Sequence, residues 1–363
     1  MKHYRVAVLG NGPVGILAAL CAARQGRGPV LLLAADPPAS VDAGGSGYRI
    51  EAVPVSLLAL LLEYGIHPHL IGAEQTHDLR QVQWDSKASM SLPTPKTVHI
   101  HRPALEQALW QKLLQEPRIH LRLGEQSLQL HDAGAGGTNS ADSDNGDDWH
   151  ADLLIDASGR AARTASSIDK SQQPWVARLF TLARQARQPG RFHSHFQPDF
   201  QPHFKLAALP QGYVYSLATP QVQNVVFVGR GKAVKGSAGE LQQLLHGAQA
   251  GWVLQGLPDL MEFHGGMAHP VSLQWATSER SVLIGDAALA RDILSSQGLS
   301  CGLSEALCAP DLGTPLARAS FQERQKQQRQ LHATALLNQI RSCLYGIETA
   351  WQDYAQFILT ART

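Results

Sequence analysis

Three glycines near the start of the chain have a spacing that suits phosphate recognition. They lie in Gly10-Asn11-Gly12-Pro13-Val14-Gly15, after the apolar run 4–9 and before a stretch, 13–25, that reads as a helix. The first glycine permits a tight turn. The second lets a pyrophosphate approach the backbone, and the third lets the helix pack closely on the strand. The helix N-terminus faces the phosphate charge. A second apolar strand, 30–33, completes a β-α-β unit, the context in which this glycine pattern signals a dinucleotide site. An acid that binds ribose is expected where that strand ends. Ala34 stands there, and Asp36 is the nearest carboxylate: it either reaches the ribose hydroxyls or is a solvated loop residue.

Two further strand-then-turn segments follow. One is Leu153-Leu154-Ile155-Asp156-Ala157-Ser158-Gly159-Arg160. The other is Leu283-Ile284-Gly285-Asp286-Ala287-Ala288, continuing through Arg291-Asp292-Ile293-Leu294-Ser295-Ser296-Gln297-Gly298-Leu299. With the glycine turn they resemble the FAD proteins of the monooxygenase and tryptophan-halogenase-like superfamily. The nearest resemblance is to the flavoproteins that mature tryptophylquinone cofactors in lysine ε-oxidase, glycine oxidase and quinohemoprotein amine dehydrogenase. Glu51-Ala52-Val53-Pro54, Val82-Gln83-Trp84, Arg102 and Gly212-Tyr213-Val214-Tyr215-Ser216 resemble other segments of that group, so the likeness covers most of residues 4–310. Ile293 replaces its proline, Ile50 and Asp85 replace glycines, and Ala34 replaces its ribose acid.

The resemblance implies FAD as cofactor. It implies contacts from Gly10, Gly12, Pro13, Val14, Gly15, Asp36, Glu51, Ala52, Arg102, Asp156, Gly159, Gly285, Asp286, Ser296, Gln297, Gly298 and Leu299, with Asp286 accepting from ribityl or ribose hydroxyls. Trp84, Tyr213 and Tyr215 are implied, more weakly, to cover the substrate, although tryptophans are first of all core residues. No catalytic acid or base is assigned. Amides at a helix N-terminus just after Gln297 would stabilise negative charge on the N1–C2=O edge of a flavin.

Other chemistry-bearing clusters are weaker. His99 and His101 share one face of a strand by alternation. His193, His195 and His203, interleaved with Phe192, Phe196, Phe200 and Phe204, have enough imidazoles for a metal, but a polar and aromatic strand or loop is the simpler reading, and no metal is expected. One of these histidines facing the substrate as acid or base is an intermediate reading. Lys87 and Lys96 read as surface residues, and the Trp-x-Trp-x-Ile-Pro segment of halogenases is absent.

These residues require elements to hold them. The chain has 363 residues, 44% of them hydrophobic and only 17% charged, enough for more than one core. The expected fold is α/β: a Rossmann-like FAD-binding domain of aromatic-hydroxylase type, an inserted sheet-rich substrate domain, and a C-terminal helical tail. The expected division is 1–80, 96–165 and 276–312 for the FAD domain, 81–95 and 166–275 for the substrate domain, and 313–363 for the tail. Residues 132–148 read as a polar loop, and the charges of the tail segment 321–330 as a solvated helix face.

A formal charge of +1 argues against a nucleic-acid or anionic-membrane partner. Four scattered cysteines, with no CxxC pair, argue against a disulfide scaffold and a structural zinc site. Gly10 to Pro13 break the N-terminal apolar run, no other run is long enough to span a bilayer, and a cytoplasmic protein without integral membrane contact is expected. The expected activity is FAD-dependent monooxygenation: hydroxylation of an aromatic, tryptophan-like group, free or peptide-borne, through a flavin C4a-hydroperoxide. A flavin-dependent halogenase and a flavin-binding assembly factor without turnover are the alternatives. With no second glycine-rich nucleotide unit, NAD(P)H must visit the same cleft or a separate flavin reductase must supply electrons.

Overall fold

The computed structural model describes residues 2–26, 28–38, 49–73, 75–124, 129–132, 139–142, 149–183, 203–219, 222–254, 264–279 and 281–362. In chain order the elements are β1 (Lys2–Leu9), α1 (Pro13–Arg24), β2 (Val30–Ala34), β3 (Ile50–Pro54), α2 (Ser56–Glu63), β4 (Thr76–Gln83), β5 (Met90–His101), α3 (Arg102–Leu114), β6 (Ile119–Leu123), β7 (Gln129–Asp132), β8 (Asn139–Asp142), β9 (Trp149–Asp156), β10 (Ser167–Ala183), β11 (Phe204–Leu209), β12 (Gly212–Ala218), β13 (Val222–Arg230), α4 (Gly231–Val234), α5 (Ala238–Gly247), β14 (His264–Thr277), β15 (Val282–Leu283), β16 (Leu289–Ala290), α6 (Gly298–Cys308), α7 (Pro315–Ser342) and α8 (Thr349–Arg362). No helix among the described residues is long and apolar enough to cross a membrane.

Contacts divide the chain into two compact units: Met1–Ala39, Glu106–Lys170 and Leu273–His332 form the first, and Ser40–Leu105, Ser171–Ser272 and Ala333–Thr363 the second. The first holds a sheet in the order β6-β2-β1-β9-β8-β7, with β15 also on β9. Its β6, β2, β1, β9 and β15 are parallel. Strands buried on both faces read as unbroken apolar runs, as in Val6–Leu9 and Leu153–Ile155. Helix α1 is buried almost all round because its Ala-rich sequence lets two neighbours approach closely.

The expected polar loop at 132–148 differs from what is observed. β7 and β8 form a hairpin whose second strand pairs with β9, and β9 begins at Trp149 instead of Leu153. β8, Asn-Ser-Ala-Asp, carries no apolar alternation, so main-chain pairing holds it in the sheet and the sequence pattern gives no sign of it.

In the second unit the sheet runs β14-β10-β13-β12-β11-β4-β5-β3. Helix α5 opens with a capping box between Ser237 and Glu240. Its Leu241 and Leu245 cover one sheet face made by Phe180, Ala207, Val214, Val225 and Phe227. α8 docks through aromatic rings: Trp175 stacks on Tyr354 at 4.3 Å, and the indole of Trp351 donates to the Leu209 carbonyl at 2.8 Å. The contact division departs from the sequence-based one at 40–80 and 96–105, because β3 pairs with β5, β5 with β4, and β4 with β11. The tail also divides, with its residues to His332 in the first unit and those from Ala333 in the second.

Candidate functional site

In the first unit, the glycine turn sits where β1 ends. Gly10 has φ +104°, and a Cβ there would lie 2.5 Å from the Ala157 carbonyl oxygen, so only glycine fits. At Gly15 a Cβ would lie 2.0 Å from the Gly10 carbonyl oxygen, which fixes how closely α1 returns over the turn. Gly12 is different. Its φ of −66° suits any residue, and a Cβ would meet nothing within 4 Å. A side chain there would fill open space in front of the α1 N-terminus. That N-terminus has Pro13 in its first turn, no side-chain cap and no acidic residue, leaving N–H groups for an outside acceptor. The Asn11 amide donates to the Asp36 carbonyl at 2.5 Å, which sets the exposed Asp36 beside the turn.

The later motifs converge on the same place. Val14 packs against Gly285 and Gly302, where added Cβ atoms would come within 3.3 and 2.7 Å of its methyl groups. Gly285 has φ +60°. Asp286 follows, its side chain 44% exposed, with the Arg160 guanidinium 3.9 Å away. Its Oδ1 is 3.7 Å from the Cβ position of Gly298, at the start of α6. α6 too has no side-chain cap and no acid in its first turn, and Ser296 before it adopts φ +49°. Ser296 and Gln297 are exposed, whereas Leu299 is buried in the unit's core. Open space at Gly12, two uncapped helix N-termini and a half-exposed carboxylate form a donor and acceptor set that fits the phosphates and hydroxyls of a dinucleotide.

Asp156 has another task. It is fully buried, and both oxygens are used: Oδ1 accepts from Ser158 N at 2.9 Å, while Oδ2 accepts from Thr164 N at 2.8 Å and Thr164 Oγ1 at 2.9 Å. It braces the turn that carries Gly159, at φ +63°.

One supporting layer has no counterpart among the residues predicted from sequence. The charges of α7, such as Glu323 and Lys326, do face solvent. Gln322 and Gln325 are more buried than these. Gln322 donates to the Ser278 carbonyl at 2.6 Å and Gln325 to the Leu283 carbonyl at 3.0 Å. Gln328 accepts from Arg291 at 2.9 Å, and His332 Nε2 accepts the Asp292 N–H at 3.1 Å. Asp292 in turn accepts from Leu294 N at 2.8 Å. These residues lie on one face of α7 by their three- and four-residue spacing, a regularity visible in the sequence but masked by its polarity. Burial, with Arg291 nearby, lowers the His332 pKa to about 4, so the ring is neutral and able to accept. Glu305 accepts from Gly285 N at 2.7 Å; burial raises its pKa, against the pull of that N–H and of Arg291.

In the second unit, Glu51 is held by Arg49 at 3.0 Å and Arg102 at 3.4 Å, and Ala52 lies beside it on β3 opposite His99. The three aromatics implied to cover a substrate separate. Tyr213 is wholly buried with Trp84, Trp175 and Trp351 around it, and Trp84 donates to the Gln339 carbonyl at 2.7 Å. Tyr213 and Trp84 thus belong to the core that docks the C-terminal helices. Tyr215 is only half-buried and stacks on Phe204 at 6.2 Å.

His99 and His101 share one face of β5 as expected, and both are buried. The His99 Nδ1 is 2.8 Å from the Ala218 carbonyl, and His101 Nε2 is 3.1 Å from Thr219 Oγ1. Burial first, and then the neighbouring His77, lower the His99 pKa to about 3. His203 meets Gln223 at 3.1 Å, and His193 and His195 lie outside the described residues. Lys87 and Lys96 are exposed.

No family model matches the chain. The 3-demethoxyubiquinol 3-hydroxylase of Escherichia coli (strain K12) is 27% identical over 135 residues, which cover 35% of this chain and 34% of that protein. The match therefore spans about a third of that relative's length. Similar solved structures extend much further. The peptidyl tryptophan dihydroxylase QhpG, essential for tryptophylquinone cofactor biogenesis, has a TM-score of 0.68 at 22% identity, covering 99% of this chain and 79% of its own. The 2,6-dihydroxypyridine-3-hydroxylase of Arthrobacter nicotinovorans has a TM-score of 0.69 at 17% identity, covering 94% and 93%. The myxobacterial chondrochloren halogenase CndH, an FAD-dependent halogenase, has 0.68 at 16%, covering 97% and 86%.

Proposed function

We propose that this chain, which has the fold of FAD-dependent aromatic hydroxylases and halogenases, is an FAD-dependent monooxygenase that hydroxylates an aromatic, tryptophan-like group carried on a peptide or a small molecule. The observation that carries the reading is the convergence of Gly10–Gly15, Gly285–Asp286 and the α6 N-terminus on one cradle in the first unit. When bound, FAD would supply the activation of oxygen, and the protein would supply position and electrostatics.

The α1 N–H groups take the pyrophosphate, with Gly12 keeping its approach clear. Asp286 accepts from ribityl hydroxyls and Asp36 from ribose. The α6 N-terminus holds negative charge on the ring edge. Asp156 and the α7 stripe position these groups without touching the cofactor. The resemblance also carries Glu51, Ala52 and Arg102 as proposed cofactor contacts, and Tyr215 as the aromatic that meets the substrate. The resemblance to tryptophylquinone-maturing flavoproteins and the fold likeness to a peptidyl tryptophan dihydroxylase favour a peptide-borne ring. Electrons come from NAD(P)H or a flavin reductase, because the sequence holds one glycine-rich nucleotide unit. None of the four cysteines is in a disulfide, and the proposed compartment is the cytoplasm.

Halogenation is the second reading, favoured by the likeness to CndH. It is opposed by the missing Trp-x-Trp segment and by the exposure of Lys87 and Lys96. Reconstitution with FAD tests the proposal: one flavin per chain and oxygen uptake driven by NAD(P)H or a reductase are expected. A chain that binds no FAD at saturation ends it, and one that binds FAD without turnover is an assembly factor.

A further inference from the structure

At the opposite end of the first unit's sheet, two imidazoles and a carboxylate face one another. β1 and β9 run parallel with His3 beside His150 in register. Their ring centroids are 4.2 Å apart. Asp152, two residues along β9 and on the same face, has Oδ1 at 2.8 Å from His3 Nε2 and Oδ2 at 3.0 Å from the Arg5 guanidinium. One ligand atom from each of His3, His150 and Asp152 lies within 4.8 Å of the others. Cross-strand neighbours of this kind are fixed by the ladder, so the backbone already sets the spacing.

We propose that His3, His150 and Asp152 form a binding site for a zinc-class divalent ion, with a fourth position open to solvent. Two imidazoles and one carboxylate are the donors such an ion takes at about 2.0–2.2 Å, and small side-chain rotations bring the three together. Imidazole donors exclude calcium and magnesium, which need oxygen shells. The ion replaces the proton shared by His3 Nε2 and Asp152 Oδ1, while Arg5 keeps the other carboxylate oxygen. The side chains of His3 and Asp152 are 49% and 37% exposed, which leaves the fourth position accessible. Arg5 and Asp152 also line a cleft of about 710 Å³, so a small donor molecule has room to arrive.

The glycine turn follows the far end of β1, about 20 Å along the strand at ~3.3 Å per residue. The ion therefore does not act on the proposed cofactor. It cross-links the first strand to β9 and stabilises the sheet that carries the cradle.

Equilibrium dialysis of metal-free protein against zinc, with parallel thermal melts, tests this. The expected result is one zinc per chain, and a higher Tm with zinc than without. His150→Ala and Asp152→Asn should each weaken binding roughly tenfold or more and abolish the rise in Tm. His246→Ala, at an exposed helical histidine elsewhere, should change neither. Because all three replaced residues lie at least partly exposed, circular dichroism of the metal-free variants should match wild type. Magnesium should not compete. Failure of wild type to saturate with one zinc, or equal zinc binding in His150→Ala and wild type, overturns the proposal.

Discussion

Asp156 and Asp286 end similar strand-then-turn motifs, yet their surroundings give them opposite tasks, and replacing each with alanine separates the two. Asp156→Ala leaves two donors without an acceptor, Ser158 N and Thr164 N, while Thr164 Oγ1 keeps Ser281 Oγ as a partner. At about 1–3 kcal/mol for each orphaned buried donor, the loss is roughly 2–6 kcal/mol, a large share of the ~5–15 kcal/mol that holds a typical domain. At about 2–4 °C per kcal/mol, the flavin-free protein should melt roughly 5–20 °C lower. Asp286 is 44% exposed, and among the described residues its ion-pair partner is the distant Arg160 at 3.9 Å. Asp286→Ala should therefore shift flavin-free stability by less than about 0.5 kcal/mol. It should instead weaken FAD by roughly 10- to 100-fold, the value of one or two hydrogen bonds to a carboxylate. The assays are thermal melts without flavin and FAD titration by fluorescence quenching. The reasoning is refuted if Asp156→Ala melts with wild type, or if Asp286→Ala lowers the melt as far as Asp156→Ala does.

Gly12→Glu places a negative side chain in the open space before α1, where dinucleotide phosphate is proposed; flavin content should fall to near zero with little change in the flavin-free melt. Gln325→Ala orphans the Leu283 carbonyl, and a loss of about 1–2 kcal/mol is expected in denaturant unfolding. For His99, the folded pKa of about 3 lies below the unfolded value of 6.5. Unfolding then takes up a proton between these values. Its contribution to stability is full above about pH 6.5 and is lost as pH falls toward 3, by roughly 1.4 kcal/mol per pH unit. His99→Asn should remove one proton's slope from the pH dependence of unfolding between pH 4 and 6, and an unchanged slope would show that His99 titrates normally.

The parts of the fold that announce themselves in the sequence are those where geometry demands a residue type. Gly10 and Gly15 are forced by backbone contacts, the parallel strands by unbroken apolar runs, and α1 by its position after the turn. What the sequence hides is held by main-chain and amide hydrogen bonds. The β7–β8 hairpin has no apolar period. The Gln322–Gln325–Gln328–His332 stripe looks like a solvent face because glutamine is polar whether it meets water or a buried carbonyl. Asp156 and Asp286 are indistinguishable by motif, and only the position of Thr164 shows that the first is consumed within the fold. Trp84 and Tyr213 read as substrate platforms by likeness, but α8 sets Trp351 against both.

The central claim is oxygen transfer to an aromatic ring. Its most direct test is mass spectrometry of tryptophan-bearing peptides after incubation with the FAD-loaded, reduced protein, isotopically labelled oxygen gas and bromide. The account predicts one or more labelled oxygen atoms on the indole ring and no bromine. Bromine on the ring, or oxygen consumed with every indole unchanged, would contradict it.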